Sequence, residues 1–292
     1  MELLNSAEAA AYLRLKERKL YELVSERAVP CTKVTGRWLF SKAALDRWLA
    51  AGLVGNALAP PQAAPIIGGS HDPLLEWALR ESGAGLAILA EGSEAGLSRF
   101  AAGEVLAAAI HLHSLDDPAC DANVESAAAQ PRSHETVLIA FARREQGLVV
   151  DTTNKHEITD VADAVRKGLR IAQRPRGAGA QLLLLALLQR DGITLDTAAR
   201  GRLCPTGPDI AQALQTGHAD CGIASRAVAV AAGLGFVPLL WERFDLFLHQ
   251  RDYFAAPMQK LLIFTRSARF AERAREMTGY DVSDTGTVRF VR

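Results

Sequence analysis

Several things this sequence is short of each remove a class of protein. There are only four cysteines, Cys31, Cys120, Cys204 and Cys221, and none forms a CxxC pair. A zinc or dithiol motif is therefore absent, and free thiols in a reducing compartment are expected. Neither sign of charge is in excess, since 33 Lys/Arg balance 33 Asp/Glu. Net charge alone thus argues neither for nor against nucleic acid. The apolar stretch Leu182–Leu188 falls far short of the roughly 20 residues that span a bilayer. The start, MELLNSAEAA, has no basic segment leading into an apolar one, so no secretory signal and a cytoplasmic location are expected, with no membrane partner. No nucleophile-elbow motif is present, and no enzymatic activity is expected.

What is present is enough for roughly two domains: 292 residues, 49% of them hydrophobic and 23% charged. The charge is unevenly placed. Residues 1–52 carry nine Lys/Arg against six Asp/Glu, and the remainder 24 against 27, so a head of net +3 precedes a body of net −3. That polarity fits a phosphate-facing module joined to one that does not face DNA.

In the head, Ser6 is the expected N-cap of a first helix, with Glu8 in its first turn and Ala9, Ala10 and Leu13 facing inward. A second helix is expected over 15–26, with Leu20, Leu23 and Val24 inward and Lys16, Arg18, Lys19 and Tyr21 near its start. Residues 30–40 read as a hairpin turning at Thr35-Gly36 and carrying Lys33 and Arg37. Ser41 then precedes a third helix that packs through Ala44, Leu45, Trp48 and Leu49. Any one of these basic residues is more often just a solvated charge. A basic helix start beside a basic wing is the better sign of DNA contact, mainly to phosphates, with Arg18 or Lys19 reaching a base edge. The pattern Leu4, Glu8, Ala10, Tyr12, Leu13, Tyr21, Leu23, Pro30, Lys33, Gly36, Phe40, Leu45, Trp48 and Leu49 resembles the excisionase-type, MerR-like winged helix-turn-helix family. The resemblance implies DNA binding through the second helix and the wing, and a small footprint of this kind implies a homodimer.

Residues 53–65, within GLVGNALAPPQAAP, read as a linker. Residues 66–292 then alternate short apolar strands with helical stretches, which predicts α/β architecture with parallel sheets. Ligands in such folds bind beyond the carboxyl ends of strands, at helix N-termini. Three strand-to-helix turns supply small and polar groups suited to an oxyanion: Gly68-Gly69-Ser70-His71, Glu91-Gly92-Ser93, and the run from Arg174 to Gln181 with Arg176, Gly177, Ala178 and Gly179. Each turn alone is more often only a loop.

The stretches GSHDPLL, EGSEAGLSRFAAGEVLAAAIHL, ETVLIAFARREQGLVV, GLRIAQRPRGAGAQLLLLALL, TGHADCGIASRAVAVAAGLGFVPL and ERFDLFL resemble the type II periplasmic-binding-protein superfamily. More narrowly, they are similar to its cytoplasmic, molybdate-binding-related domains. The resemblance implies an α/β two-lobed domain, lobe I from residues 66–145 and 245–292 and lobe II from 146–244, with crossings near 142–147 and 241–245. It also implies a ligand role for His111. Relatives read G-S-G-T-R where this chain has Gly177-Ala178-Gly179-Ala180-Gln181, so a hydroxyl pair and an arginine are missing. The segment after His111, through His113 and Asp116 into DDPACDANVES, departs from the family's G-E-Y-N.

The expected ligand-binding set is Ser70, His71, Ser93, His111, Arg174, Arg176, Gly177, Ala178 and Gly179. His111 and His113 share a side of their strand, but no further metal ligand accompanies them in the sequence. The reading that follows is a ligand-responsive transcriptional regulator that binds DNA and a small anionic effector, with molybdate, tungstate or a molybdenum-cofactor species as candidates and no cofactor. Two alternatives stand beside it. One is an enzyme on the same fold using Ser70, Asp72 and His111, and the other is an architectural DNA binder whose second domain senses nothing.

Overall fold

The computed structural model describes residues 2–26, 28–34, 36–51, 63–114, 120–130, 135–195 and 200–292. The chain separates into two compact units, Met1–Pro61 and Gln62–Arg292. Most of the expected linker, Thr35 of the hairpin turn, and Leu115 to Pro118 of the unfamiliar segment after His113 lie outside the described residues.

The first unit runs β1 (Leu3–Leu4), α1 (Ser6–Tyr12), α2 (Glu17–Ser25), β2 (Thr32–Val34), β3 (Arg37–Ser41) and α3 (Lys42–Ala51). The cap of α1 is Asn5 rather than Ser6. Its side chain accepts the Glu8 N–H, and the Glu8 carboxylate accepts the Asn5 N–H, a reciprocal box that closes two open donors. The hairpin gains a strand that the sequence pattern did not reveal, because β1 is only two residues long and pairs with β3 to give the order β1-β3-β2. Ala9, Ala10, Leu20, Val24, Val29, Phe40 and Leu45 form the core, with Leu23 and Trp48 at its edge. Leu49, expected inside, is 45% exposed.

The second unit runs β4 (Ala64–Gly69), α4 (Pro73–Glu81), β5 (Ala87–Ala90), α5 (Ser93–Ala102), β6 (Val105–Ile110), α6 (Ala122–Ala129) and β7 (Thr136–Val150). It continues α7 (Val161–Arg166), β8 (Ile171–Gln173), α8 (Gly179–Arg190), β9 (Arg200–Leu203), α9 (Gly207–Gln215), β10 (Gly222–Ser225), α10 (Arg226–Ala231) and β11 (Gly235–His249). It closes with α11 (Gln250–Tyr253), α12 (Ala256–Thr265), α13 (Ala268–Met277), β12 (Tyr280–Asp281) and β13 (Val288–Val291).

The predicted alternation of strands and helices holds, but the purely parallel sheet does not. The large sheet, ordered β10-β7-β11-β6-β4-β5, is mixed. Its β4, β5 and β6 are parallel, while β7, β10 and β11 pair antiparallel. β7 and β11 are each a single strand of 15 residues, Thr136–Val150 and Gly235–His249. The polar run Arg143-Arg144-Glu145-Gln146 looks like a loop in sequence. It stays extended because β11 pairs with it throughout, Glu242 lying opposite Arg144 and Leu240 opposite Gln146.

These two strands carry the chain between two lobes. One lobe packs Ile67, Leu74, Phe141, Phe244, Leu261 and Phe270 into its core, joined by a smaller cluster around Phe100 and Phe247. The other packs Leu148, Ile171, Leu184 and Ile223, with Ile210 and Val228 in an adjoining cluster. The fold is the expected two-lobed α/β domain preceded by a winged helix-turn-helix. The C-terminal residues, unassigned in the sequence beyond two helical stretches, complete the first lobe through α12, α13, β12 and β13.

Candidate ligand-binding site

The first wall of the cleft is built by the ends of β4, β5 and β6. Ser70 Oγ lies 2.8 Å from Ser93 Oγ, which accepts the His111 N–H at 3.0 Å and donates to the His111 carbonyl at 3.2 Å. Both serines are buried and neither lines the cleft. Their hydroxyls tie three strand ends together. His71 Nε2 sits 3.1 Å from the Glu76 carboxylate. Asp72 caps α4 at Leu75 N–H and accepts from Arg144 Nη1 at 2.9 Å and from the Tyr280 hydroxyl at 2.8 Å. Ser70, Asp72 and His111 are therefore not joined as nucleophile, orienter and base, since each is bonded elsewhere.

The floor comes from the crossing strands. Glu242 accepts Arg144 Nε at 2.6 Å and Gln146 Nε2 at 2.8 Å on Oε1. His111 Nδ1 and His113 Nε2 lie 3.0 and 2.8 Å from its Oε2. Burial works against the Glu242 charge, but the donors from His111 and Arg144 outweigh it and hold the carboxyl well below its ordinary range. Burial pushes His111 down to about 4, so its imidazole is neutral near pH 7. Arg144 also stacks 4.4 Å over the Phe244 ring.

The second wall differs in having polar groups without partners. Arg174 follows β8. Its backbone N–H is held by Gln181 Oε1 at 2.7 Å and its Nη2 donates to the Pro205 carbonyl at 2.8 Å. Among the described residues its buried Nε has no hydrogen-bond partner, and neither has buried Oε1 of Gln146. Burial, with Arg144 nearby, pushes Arg174 down to about 10, a group still charged at neutral pH. Gln181, standing where relatives carry an arginine, is spent on Arg174 and on Gln173. Helix α8 starts with no side-chain cap.

Between these walls His71, Pro73, His111, Arg144, Gln146, Arg174, Ala180, Gly207, Ala224, Ser225 and Val228 line a narrow cavity of about 20 Å³. Pro73, Ala180 and Gly207 lie in the first turns of α4, α8 and α9, so three helix N-termini meet there. The walls also touch directly. Glu94 N–H donates to the Gly177 carbonyl at 3.2 Å, and a Cβ built on Gly92 would stand 3.1 Å from Ala178. A Cβ on Gly179 would collide with the His111 carbonyl, so glycine is needed for this approach.

The structure thus brings His71, His111 and Arg174 of the expected set to the cavity and places Gly177, Ala178 and Gly179 at the contact between walls. Ser70 and Ser93 sit behind the wall as braces. Arg176 is exposed and is not among the lining residues. Sequence reasoning missed Arg144, Gln146, Ser225 and Glu242. It also found no third ligand for the histidine pair, whereas the donor atoms of His111, His113 and Glu242 all lie within 4.8 Å of one another. Only the ladders of β11 against β7 and β6, and of β10 against β7, reveal these neighbours, which come from distant parts of the chain.

In the first unit Lys16, Arg18, Lys19, Tyr21, Lys33 and Arg37 are all exposed. Lys16 is the N-cap of α2, and Arg18 and Lys19 lie in its first turn, 3.5 and 3.1 Å from Glu22. Lys33 lies over the Trp38 ring at 5.3 Å.

Residues 76–266 match the sequence model of the PBP superfamily domain, and residues 3–52 match that of a helix-turn-helix domain. The uncharacterized protein YvgK of Bacillus subtilis (strain 168) is 28% identical over 153 residues, which is 52% of this chain and 49% of that protein. The chain therefore spans about half the length of this curated relative. Among solved structures, a putative phosphate ABC transporter substrate-binding protein with bound phosphate from Clostridium perfringens aligns with TM-score 0.53 at 11% identity, over 77% of this chain and 99% of that one. The tungstate ABC transporter from Geobacter sulfurreducens aligns with TM-score 0.48 at 14% identity, over 73% and 99%. The likeness to the Clostridium perfringens structure speaks to the fold alone.

Proposed function

This chain belongs to the PBP superfamily and carries a helix-turn-helix domain at its N-terminus, and from that premise we propose that it is a one-component transcriptional regulator that senses a small anion. The helix-turn-helix domain points to DNA as one partner and the PBP-like domain to a small ligand as the other. In this reading Lys16, Arg18, Lys19, Tyr21, Lys33 and Arg37 face DNA, the working form is a cytoplasmic homodimer, and the ligand is held between the lobes.

The observation that carries the anionic ligand is Arg174. It is a half-buried guanidinium whose buried Nε has no hydrogen-bond partner among the described residues, at a cavity where three helices begin. Helix N-termini present backbone N–H groups and a partial positive charge, which suits an oxyanion. Gln146 and Ser225 add neutral polar groups to the lining. Molybdate and tungstate are the leading candidates, on the family resemblance. Calorimetric titration of the purified protein with molybdate and tungstate, with sulfate and phosphate as controls, tests this. Saturable binding of the first two alone supports a metal-oxyanion sensor. Absence of binding by all four rejects a simple tetrahedral oxyanion.

A further inference from the structure

We propose that His111, His113 and Glu242 form a binding site for one divalent transition-metal ion of the zinc class. Two imidazoles, two residues apart at the end of β6, converge on the same carboxylate oxygen from β11. Their rings stand nearly perpendicular, 86° apart with centroids 6.2 Å from each other, so they approach that oxygen from different directions. Two histidines and one carboxylate are a donor set for zinc-like ions, which accept nitrogen, and not for calcium or magnesium, which favour oxygen. A tetrahedral ion with bonds of about 2.0–2.1 Å holds its donors about 3.3 Å apart. The histidine nitrogens stand 2.8 and 3.0 Å from Glu242 Oε2, and all three donor atoms lie within 4.8 Å of one another, so side-chain rotation can bring them to that spacing.

The supporting shell is in place. Arg144 and Gln146 hold Glu242 Oε1, which leaves Oε2 for the metal. Ser93 grips both backbone groups of His111. Such outer contacts fix the orientation of ligands. Arg144 does not exclude a cation, because Asp72 shares its charge: the formal charges of Asp72, Arg144 and Glu242 sum to −1. His113 and Glu242 also line a second, more open cavity of about 310 Å³, which gives an entry path and room for a water as fourth ligand.

The test is titration of the full-length, chelator-stripped protein with Zn²⁺ alone against a chromogenic zinc indicator, repeated with Co²⁺ followed by its visible absorption. One equivalent per chain and the bands of four-coordinate Co²⁺ are expected. Glu242→Gln disturbs the partner of a buried arginine and risks misfolding, so the decisive variant is His113→Ala, whose side chain is partly exposed. It should weaken Zn²⁺ binding by about 100-fold or more while the variant keeps a cooperative thermal transition, lowered only by the loss of one hydrogen bond. No stoichiometric binding, or equal binding by H113A, overturns the proposal and leaves the trio as a hydrogen-bonded network. No anion enters this experiment, so its outcome is independent of the sensing function proposed above.

Discussion

The two walls of the cleft are made of similar residue types and spend them differently. On the first wall Ser70, Ser93 and Asp72 are bonded to one another's neighbours or across to the floor. On the second, Arg174 and the adjoining Gln146 keep buried atoms without partners. A hydroxyl already donating within the protein has little to offer a ligand, whereas a desolvated guanidinium gains a full charge-assisted bond when an anion arrives. On the function proposed above, the first wall is scaffolding and the second supplies recognition.

The largest effect should come from breaking the second wall. Arg174→Met should lower affinity for the bound oxyanion by about 100-fold, the worth of one to two charge-assisted bonds, as read by calorimetry. Retained affinity would show that the contrast between the walls is misdrawn.

Asp245 sharpens the contrast from the opposite side, because it leaves a buried oxygen unpaired away from the cavity. It faces Asn123 at 2.7 Å and the Arg289 guanidinium, with Asp121 and Arg243 nearby. Burial nonetheless pushes its carboxyl up to about 6 from 3.8. A raised carboxyl favours folding most below its unfolded pKa and loses that advantage as pH rises through 6. The stability of the parent relative to Asp245→Asn should accordingly be about 2 kcal/mol greater at pH 4 than at pH 7, measured by chemical denaturation. An equal difference at both pH values would place Asp245 with the ionised, satisfied groups.

Gly179→Ala pushes the walls apart. Its Cβ meets the His111 carbonyl, which is backbone and cannot swing aside. A cost of about 1–3 kcal/mol in stability is expected, with weakened anion binding. The smallest effect belongs to the first wall: Ser70→Ala should cost about 1 kcal/mol of stability and change oxyanion affinity less than about threefold. A selective loss of binding in that variant, with stability intact, would return Ser70 to the ligand.

Much of this fold is legible in the sequence where the signal is local. The head's apolar spacing and the body's alternation of strands and helices need only neighbours a few residues apart. The long strands are not legible. Arg143 to Gln146 are turn-like by composition, and the ladders with β11, β12 and β10 keep them extended. The same holds at the site. His111 and Arg174 stand out beside strand ends and glycines, but Glu242 sits in an ordinary-looking WERFD segment. It acquires meaning only from histidines about 130 residues earlier. Arg176 misleads for the converse reason: a suitable residue in a suitable loop can still point to solvent.

The core of the first lobe joins Ile67, Leu74 and Leu75 to Met258, Leu261, Phe270 and Ala274. That core is discontinuous in the chain, and during synthesis its earlier half must wait for roughly 190 residues to follow. The buried residues from Leu148 to Ala229 that build the other core form one uninterrupted stretch. Loop-closure entropy opposes distant pairings before local ones. The inserted lobe should thus gain its structure first as the chain leaves the ribosome, and the lobe that begins first should finish last.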